Sequence, residues 1–112
     1  MAGQIHDDGG QSLSDVAQLC AEAGDVAGAM KMATLVNDAY YKRYAQSAVA
    51  EAQLKAGDRA GAQKTLIAAK KTAELIKNVY GYYALTDVAE GQRAAGDIVG
   101  AKETLTAALT GL

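Results

Sequence analysis

The chain of 112 residues contains no proline, no tryptophan and no phenylalanine, and it has a single cysteine, Cys20. The absence of proline favours long helices joined by short turns over an all-β domain, which depends on turns. A single cysteine excludes an internal disulfide framework. No apolar run approaches the ~18–20 residues that a membrane helix requires, so a membrane protein is not expected.

Positive charge is also scarce, because 11 Lys and Arg residues stand against 13 Asp and Glu residues, which gives a formal net charge of −2. Proteins that bind nucleic acids or membrane surfaces usually carry a basic excess, so neither partner is expected. The lysines within residues 59–77 are interpreted as a solvated helix face, because no aromatic residue is interleaved with them. The segment from Met1 to Gln11 lacks the basic and apolar regions of a signal peptide, which favours a cytoplasmic location.

Alanine is abundant, and one alanine-rich segment occurs three times. The copies begin at Val16, Val49 and Val88, and each continues as Val-Ala-Gln/Glu, then Ala-Gly-Asp, then Gly-Ala at the same internal offsets. Self-similarity with a period of about 20–50 residues indicates a repeat architecture. Since half of the residues are apolar and most of these are small, the pattern predicts closely packed helices around a thin core.

Each Ala-Gly-Asp element predicts a tight corner between two helices, because Gly can end a helix in the left-handed conformation and Asp can cap the next one. The predicted corners are Gly24-Asp25, Gly57-Asp58 and Gly96-Asp97. Six helices are then expected over about 12–23, 26–36, 39–56, 59–77, 79–95 and 98–110, with the fourth the longest. They form a single all-α domain, 12–112, after a flexible lead-in of residues 1–11.

A second glycine follows each corner, at Gly28, Gly61 and Gly100, about three residues into the next helix. Glycine in a helix costs up to about 1 kcal/mol relative to alanine. The same unfavourable choice at three equivalent positions suggests a packing requirement. We therefore expect the preceding helix to cross close to the backbone at these glycines.

The repeated segment resembles the tetratricopeptide repeat, a helix-turn-helix unit of about 34 residues. Small residues lie seven positions before the turn glycine and alanines lie five positions after it, as in that family: Ala17, Ala50 and Ala89, and Ala29, Ala62 and Ala101. The resemblance covers units of about 12–37, 38–77 and 78–112, although the proline that usually ends each unit is missing. It implies a right-handed α-α superhelix of three repeats and six antiparallel helices, within the wider class of bacterial α-solenoids.

In the tetratricopeptide family, the first helix of each unit lines a concave groove that binds peptides or proteins. Carried over by position, the groove residues would be Tyr44, Ser47, Glu51, Lys55, Tyr83, Thr86, Glu90 and Arg93. The equivalent tyrosines, Tyr44 and Tyr83, either hold a peptide by stacking and hydrogen bonding or pack adjacent units together. The pairs Glu51 with Lys55 and Glu90 with Arg93 are either a mixed-charge binding surface or ordinary surface pairs of a helix.

No group of residues in the sequence points to catalysis, a cofactor or a metal. Cys20 has no partner histidine in an ordered region, and His6-Asp7-Asp8 lies in the lead-in without a second histidine. The chain is therefore expected to be an interaction module for a protein or peptide partner and not an enzyme. The alternative is a self-assembling scaffold, a homo-oligomer, because the last helix has Leu105, Ala108 and Leu109 but no capping helix behind it.

Overall fold

The computed structural model describes residues 10–111, and these form six helices without a strand. The helices are α1 (Gly10–Glu22), α2 (Val26–Leu35), α3 (Ala39–Lys55), α4 (Arg59–Ala73), α5 (Val79–Ala94) and α6 (Ile98–Thr110). The predicted all-α class and the prediction of six helices are confirmed. The predicted flexible lead-in falls mostly outside the described residues, and its last two residues, Gly10 and Gln11, belong to α1.

The end of α4 differs from the prediction. This helix stops at Ala73 and has 15 residues, so that α3, with 17 residues, is the longest. After Ala73 the chain turns, and the half-buried Ile76 packs against the cluster that contains Ala73 and Leu85. Packing against α5 therefore takes Ile76 off the helical path, an effect that the local sequence of residues 74–77 does not reveal.

The three Gly-Asp corners share one geometry. Their glycines have φ angles of +81°, +85° and +83° at Gly24, Gly57 and Gly96. At the first corner the Gly24 N–H donates to the Ala21 carbonyl and the Asp25 N–H donates to the Cys20 carbonyl, which is the Schellman arrangement. Equivalent bonds form at the other two corners. Each corner thus satisfies carbonyls that the end of a helix would otherwise leave unpaired.

The aspartate of each corner also begins the following helix, and it explains the second glycine. The Asp25 carboxylate accepts a hydrogen bond of 2.9 Å from the Gly28 N–H, and the other two corners repeat this bond. A Cβ on Gly28 would lie 2.7 Å from the Asp25 Cγ, closer than real Cβ atoms approach any atom. The expectation that the preceding helix crosses here is wrong, because the nearest atoms at all three glycines belong to the capping aspartate.

The first helices of the three hairpins, α1, α3 and α5, contact one another in sequence, and each also packs against its own partner, α2, α4 or α6. In addition, α2 contacts α3 and α4 contacts α5. Within residues 10–111, no contact of similar extent joins α2 to α4 or α4 to α6. The helices α1, α3 and α5 therefore form a continuous layer.

Alanine provides most of the core, and Leu66 on α4 is the largest fully buried side chain, with 1% of its surface exposed. A Cβ placed on Gly91 of α5 would lie 2.7 Å from the Leu66 Cδ2. Leu66 therefore packs directly on the bare backbone of α5. This contact fixes how closely the second hairpin approaches the third.

A side-chain hydrogen bond joins the two helices within the second hairpin, and an equivalent bond, which is fully buried, joins those within the third. The Thr104 hydroxyl donates to the Gln92 Oε1 over 2.6 Å, and the Thr65 hydroxyl donates to the Gln53 Oε1 over 2.7 Å. The first hairpin has Cys20 and Met32 at the corresponding positions, and both pack against its apolar cluster. The same site is thus filled by a polar pair twice and by a pair of sulfur-containing side chains once.

Candidate functional site

Several predicted site residues surround a groove formed by α1, α3 and α5, with Leu66 of α4 contributing to its lining. The groove has a volume of about 430 Å³. Of the predicted residues, it is lined by Tyr44, Ser47, Glu51, Lys55 and Glu90. Its other lining residues are Gln18, Ala21, Glu22, Ala48, Ala50, Ala52, Leu54, Leu66, Asp87, Gly91 and Ala94.

Helical spacing brings the groove residues of α3 to one side. Tyr44, Ser47, Glu51 and Lys55 follow one another at intervals of three or four residues, so their side chains lie along a single face of the helix. The buried alanines of α3 and Val49 belong to the core clusters, and three of these alanines, Ala48, Ala50 and Ala52, also line the groove. The alternation of small apolar and polar residues in α3 therefore positions the polar face in the groove.

Three predicted site residues of α5 do not line the groove. Tyr83 is 55% exposed and lies edge-on against Tyr82, with 5.4 Å between the ring centroids. The Thr86 hydroxyl donates to the Tyr83 carbonyl within the same helix, and Arg93 is exposed in the last turn. Tyr83 has the same repeat position as Tyr44, but the helices that carry them have different neighbours. Within the described layer, α3 lies between α1 and α5, whereas α5 has only α3 beside it.

Arg43 is a central residue that the sequence interpretation missed. Its side chain is only 3% exposed, and its Nη1 donates to the Asp87 Oδ2 over 2.8 Å, in the one ion pair within residues 10–111. This pair joins α3 to α5 beside the groove. The sequence contained one signal for this residue. Arg43 and Tyr82 both lie fourteen positions before a corner glycine, and Tyr82 is half-buried, so this repeat position is one that faces the interior.

Tyrosine rings surround Arg43 and connect the same two helices. The guanidinium carbon of Arg43 lies 3.7 Å from the centroid of the Tyr44 ring and 5.1 Å from that of Tyr40. Tyr40 in turn meets Tyr80 of α5 edge-on, with 5.6 Å between the centroids. A hydrogen bond with Tyr44 raises the pKa of the Tyr40 hydroxyl above its ordinary value of 10.0. Tyr44 therefore packs on Arg43 within α3 and, being 37% exposed, also lines the groove.

The predicted charge pairs of the groove helices do not form ion pairs. In the described part of the chain no ion pair joins Glu51 to Lys55 or Glu90 to Arg93. The carboxylates of Glu51 and Glu90 are both exposed. These side chains are therefore available to a charged ligand.

Neither a metal site nor a membrane helix is found in the part of the chain that the structure describes. Residues 10–111 hold no group of three or more His, Cys, Asp or Glu side chains placed to bind a metal ion. The segment His6-Asp7-Asp8 lies outside these residues, and Cys20 is half-buried in α1. None of the six helices combines the length and the apolar character needed to cross a membrane.

Comparison of the chain with protein-family models, with curated proteins and with solved structures finds no match in any of the three.

Proposed function

We propose that the chain is an interaction module of the tetratricopeptide type, in which three stacked hairpins form a short right-handed superhelix. In this proposal its groove binds a peptide or a segment of a partner protein, and the chain performs no catalysis. The observation that carries the proposal is the groove itself, which extends across the first helices of all three hairpins. A surface built by successive repeats suits an extended ligand, because each hairpin can contact a different part of it.

The chemistry of the groove supports binding more than reaction. Its wall has an aromatic ring, Tyr44, and its base has the small side chains of Ala48 and Ala52. Exposed carboxylates at Glu51 and Glu90 lie beside these apolar groups. Apolar area next to a few polar groups is typical of peptide-binding surfaces, whereas the Ser47 hydroxyl makes no hydrogen bond to a base in the described chain.

Groove occupancy tests this proposal. Peptides that bind the chain are selected from a random display library, and their affinities are measured by fluorescence anisotropy. The variant Ala94→Phe places a ring in the groove at an exposed position, and Ala60→Phe makes the same change on α4, away from the groove. Binding weakened only by Ala94→Phe supports the proposal. Equal affinity of both variants for every selected peptide refutes it.

Self-assembly is a second candidate, and the exposed face of α6 favours it. Leu105 occupies the repeat position of Leu66, yet it is 43% exposed, because no further helix within residues 10–111 covers it. Leu109, one turn further on, is also exposed. A second copy of the chain would bury both leucines.

Sedimentation velocity across a concentration series tests the second candidate. If α6 mediates assembly, the wild-type chain forms dimers or larger species and Leu105→Gln shifts it to the monomer. The control variant, Leu75→Gln, changes another exposed leucine, in the connection between α4 and α5, and it should assemble like the wild type. A wild-type chain that stays monomeric at all concentrations excludes this function.

A further inference from the structure

The groove is strongly acidic. Carboxylates come from all three helices of the layer, with Glu22 on α1, Glu51 on α3, and Asp87 and Glu90 on α5. Lys55 is the single cation among the described residues that line the groove. Arg43 neutralises Asp87, so the other three carboxylates against one ammonium group leave an excess of two negative charges at the groove. This excess is as large as the formal net charge of −2 of the whole chain.

Most of these carboxylates form no ion pair in the part of the chain that the structure describes. Asp87 pairs with Arg43, but Glu22, Glu51 and Glu90 form no ion pair with any residue in the range 10–111. All three are exposed, so they are not held away from a ligand. Several like charges around one concave surface raise the local concentration of oppositely charged ligands and accelerate their association.

The base of the groove suits long side chains with an apolar stem. Ala48, Ala50 and Ala52 give the groove a shallow apolar lining between the carboxylates. Lysine and arginine bury their methylene groups on such surfaces while the charged end stays at a polar rim.

We propose that the ligand of the groove is a peptide segment rich in lysine and arginine, an inference that rests on the function proposed above. An acidic segment or a nucleic acid does not suit the groove, because its carboxylates or phosphates would face three unpaired carboxylates. The basic segment places its charged ends against Glu51, Glu90 and Glu22, and its methylene stems cover the alanine base.

Three synthetic peptides of equal length test the inference with the full chain. One contains lysines and arginines spaced by alanines, the second has glutamates in place of the basic residues, and the third has glutamines. Amide shifts in two-dimensional NMR spectra locate each peptide on the protein. The basic peptide is expected to shift groove residues of α1, α3 and α5, and its affinity should fall as salt is added, since the carboxylates are exposed.

Paired variants separate the groove from the general charge of the chain. Glu51→Gln with Glu90→Gln removes two groove carboxylates, and Glu74→Gln with Glu103→Gln removes two exposed carboxylates elsewhere. Each groove substitution should weaken binding of the basic peptide about two- to fivefold, the range of an exposed ion pair. The control pair should leave the affinity unchanged, and circular dichroism should show equal helicity for both pairs.

The possible results distinguish this inference from the proposed function. If the glutamine or glutamate peptide binds in the groove as tightly as the basic one, or if both paired variants weaken binding equally, the inference is wrong although the groove still binds peptides. If no peptide, designed or selected, shifts any groove residue, the inference and the proposed function both fail. If the groove residues shift with protein concentration alone, the ligand is a second copy and the inference is overturned.

Discussion

Loss of the buried hydrogen bond between Thr104 and Gln92 should destabilise the chain by more than the small change in the side chain suggests. Thr104→Val keeps the shape of the side chain but removes the hydroxyl that donates to the Gln92 Oε1 over 2.6 Å. Both side chains are buried between α5 and α6, so water cannot replace the donor. An unsatisfied buried acceptor costs about 1–3 kcal/mol, and each kcal/mol lowers the Tm of a domain of about this size by roughly 4–8 °C.

The second substitution of the pair should recover part of the loss. In the double variant Gln92→Met with Thr104→Val, neither side chain carries a polar group that needs a partner, and replacing both partners by apolar groups of similar shape is nearly neutral. The first hairpin already has such a pair, in Cys20 and Met32. We therefore expect the double variant to be more stable than Thr104→Val alone.

Urea denaturation followed by far-ultraviolet circular dichroism measures both effects. The matched control is Thr106→Val on the same helix, whose exposed hydroxyl donates only to the Lys102 carbonyl one turn earlier, and its free energy of unfolding should change by less than about 0.5 kcal/mol. The reasoning is refuted if Thr104→Val is no less stable than this control. It is also refuted if the double variant is less stable than the single one.

Three further substitutions test other contacts by the same denaturation measurement. Gly57→Ala should lower the free energy of unfolding by about 1–2 kcal/mol, because alanine at φ +85° is strained although no atom lies nearby; an unchanged midpoint would contradict this. Asp87→Asn should lower the free energy of unfolding by about 1–2 kcal/mol, because the buried Arg43 loses its charged partner. If added salt does not reduce this difference from the wild type, the effect is not ionic in origin. Gly91→Ala should destabilise the wild type, because the added methyl group overpacks against Leu66. In the Leu66→Ala variant the same substitution should raise the free energy of unfolding by up to about 1 kcal/mol. If the free energy of unfolding changes in the same direction in both backgrounds, the steric explanation is excluded.

The parts of the fold that depend on residues close together in the sequence were predictable. The corner at Gly57-Asp58 needs one glycine with positive φ and one capping carboxylate, and both are identifiable from a few consecutive residues. The period of the repeat then gives the number of helices. The role of Gly61 was misassigned, because its neighbour is the Asp58 side chain and no sequence pattern reports how that side chain is oriented.

The parts that depend on distant residues were not predictable in the same way. Arg43 is buried by a partner 44 positions further along the chain, and an arginine in a helix is ordinarily assigned to the surface. Tyr83 has the repeat position of Tyr44 but a different environment, because its helix has no following neighbour in the layer. Five of the eight predicted groove residues line the groove, and the other three lie on this last helix, α5.

The corner geometry also has a consequence for how the chain folds. All the bonds that shape the Gly24-Asp25 corner connect residues no more than five positions apart. Structures rich in such short-range contacts reach the native state rapidly, and arrays of similar units can nucleate at more than one place. We therefore expect folding to be able to begin at more than one of the three corners, so that a defect at one corner leaves the other two able to start it.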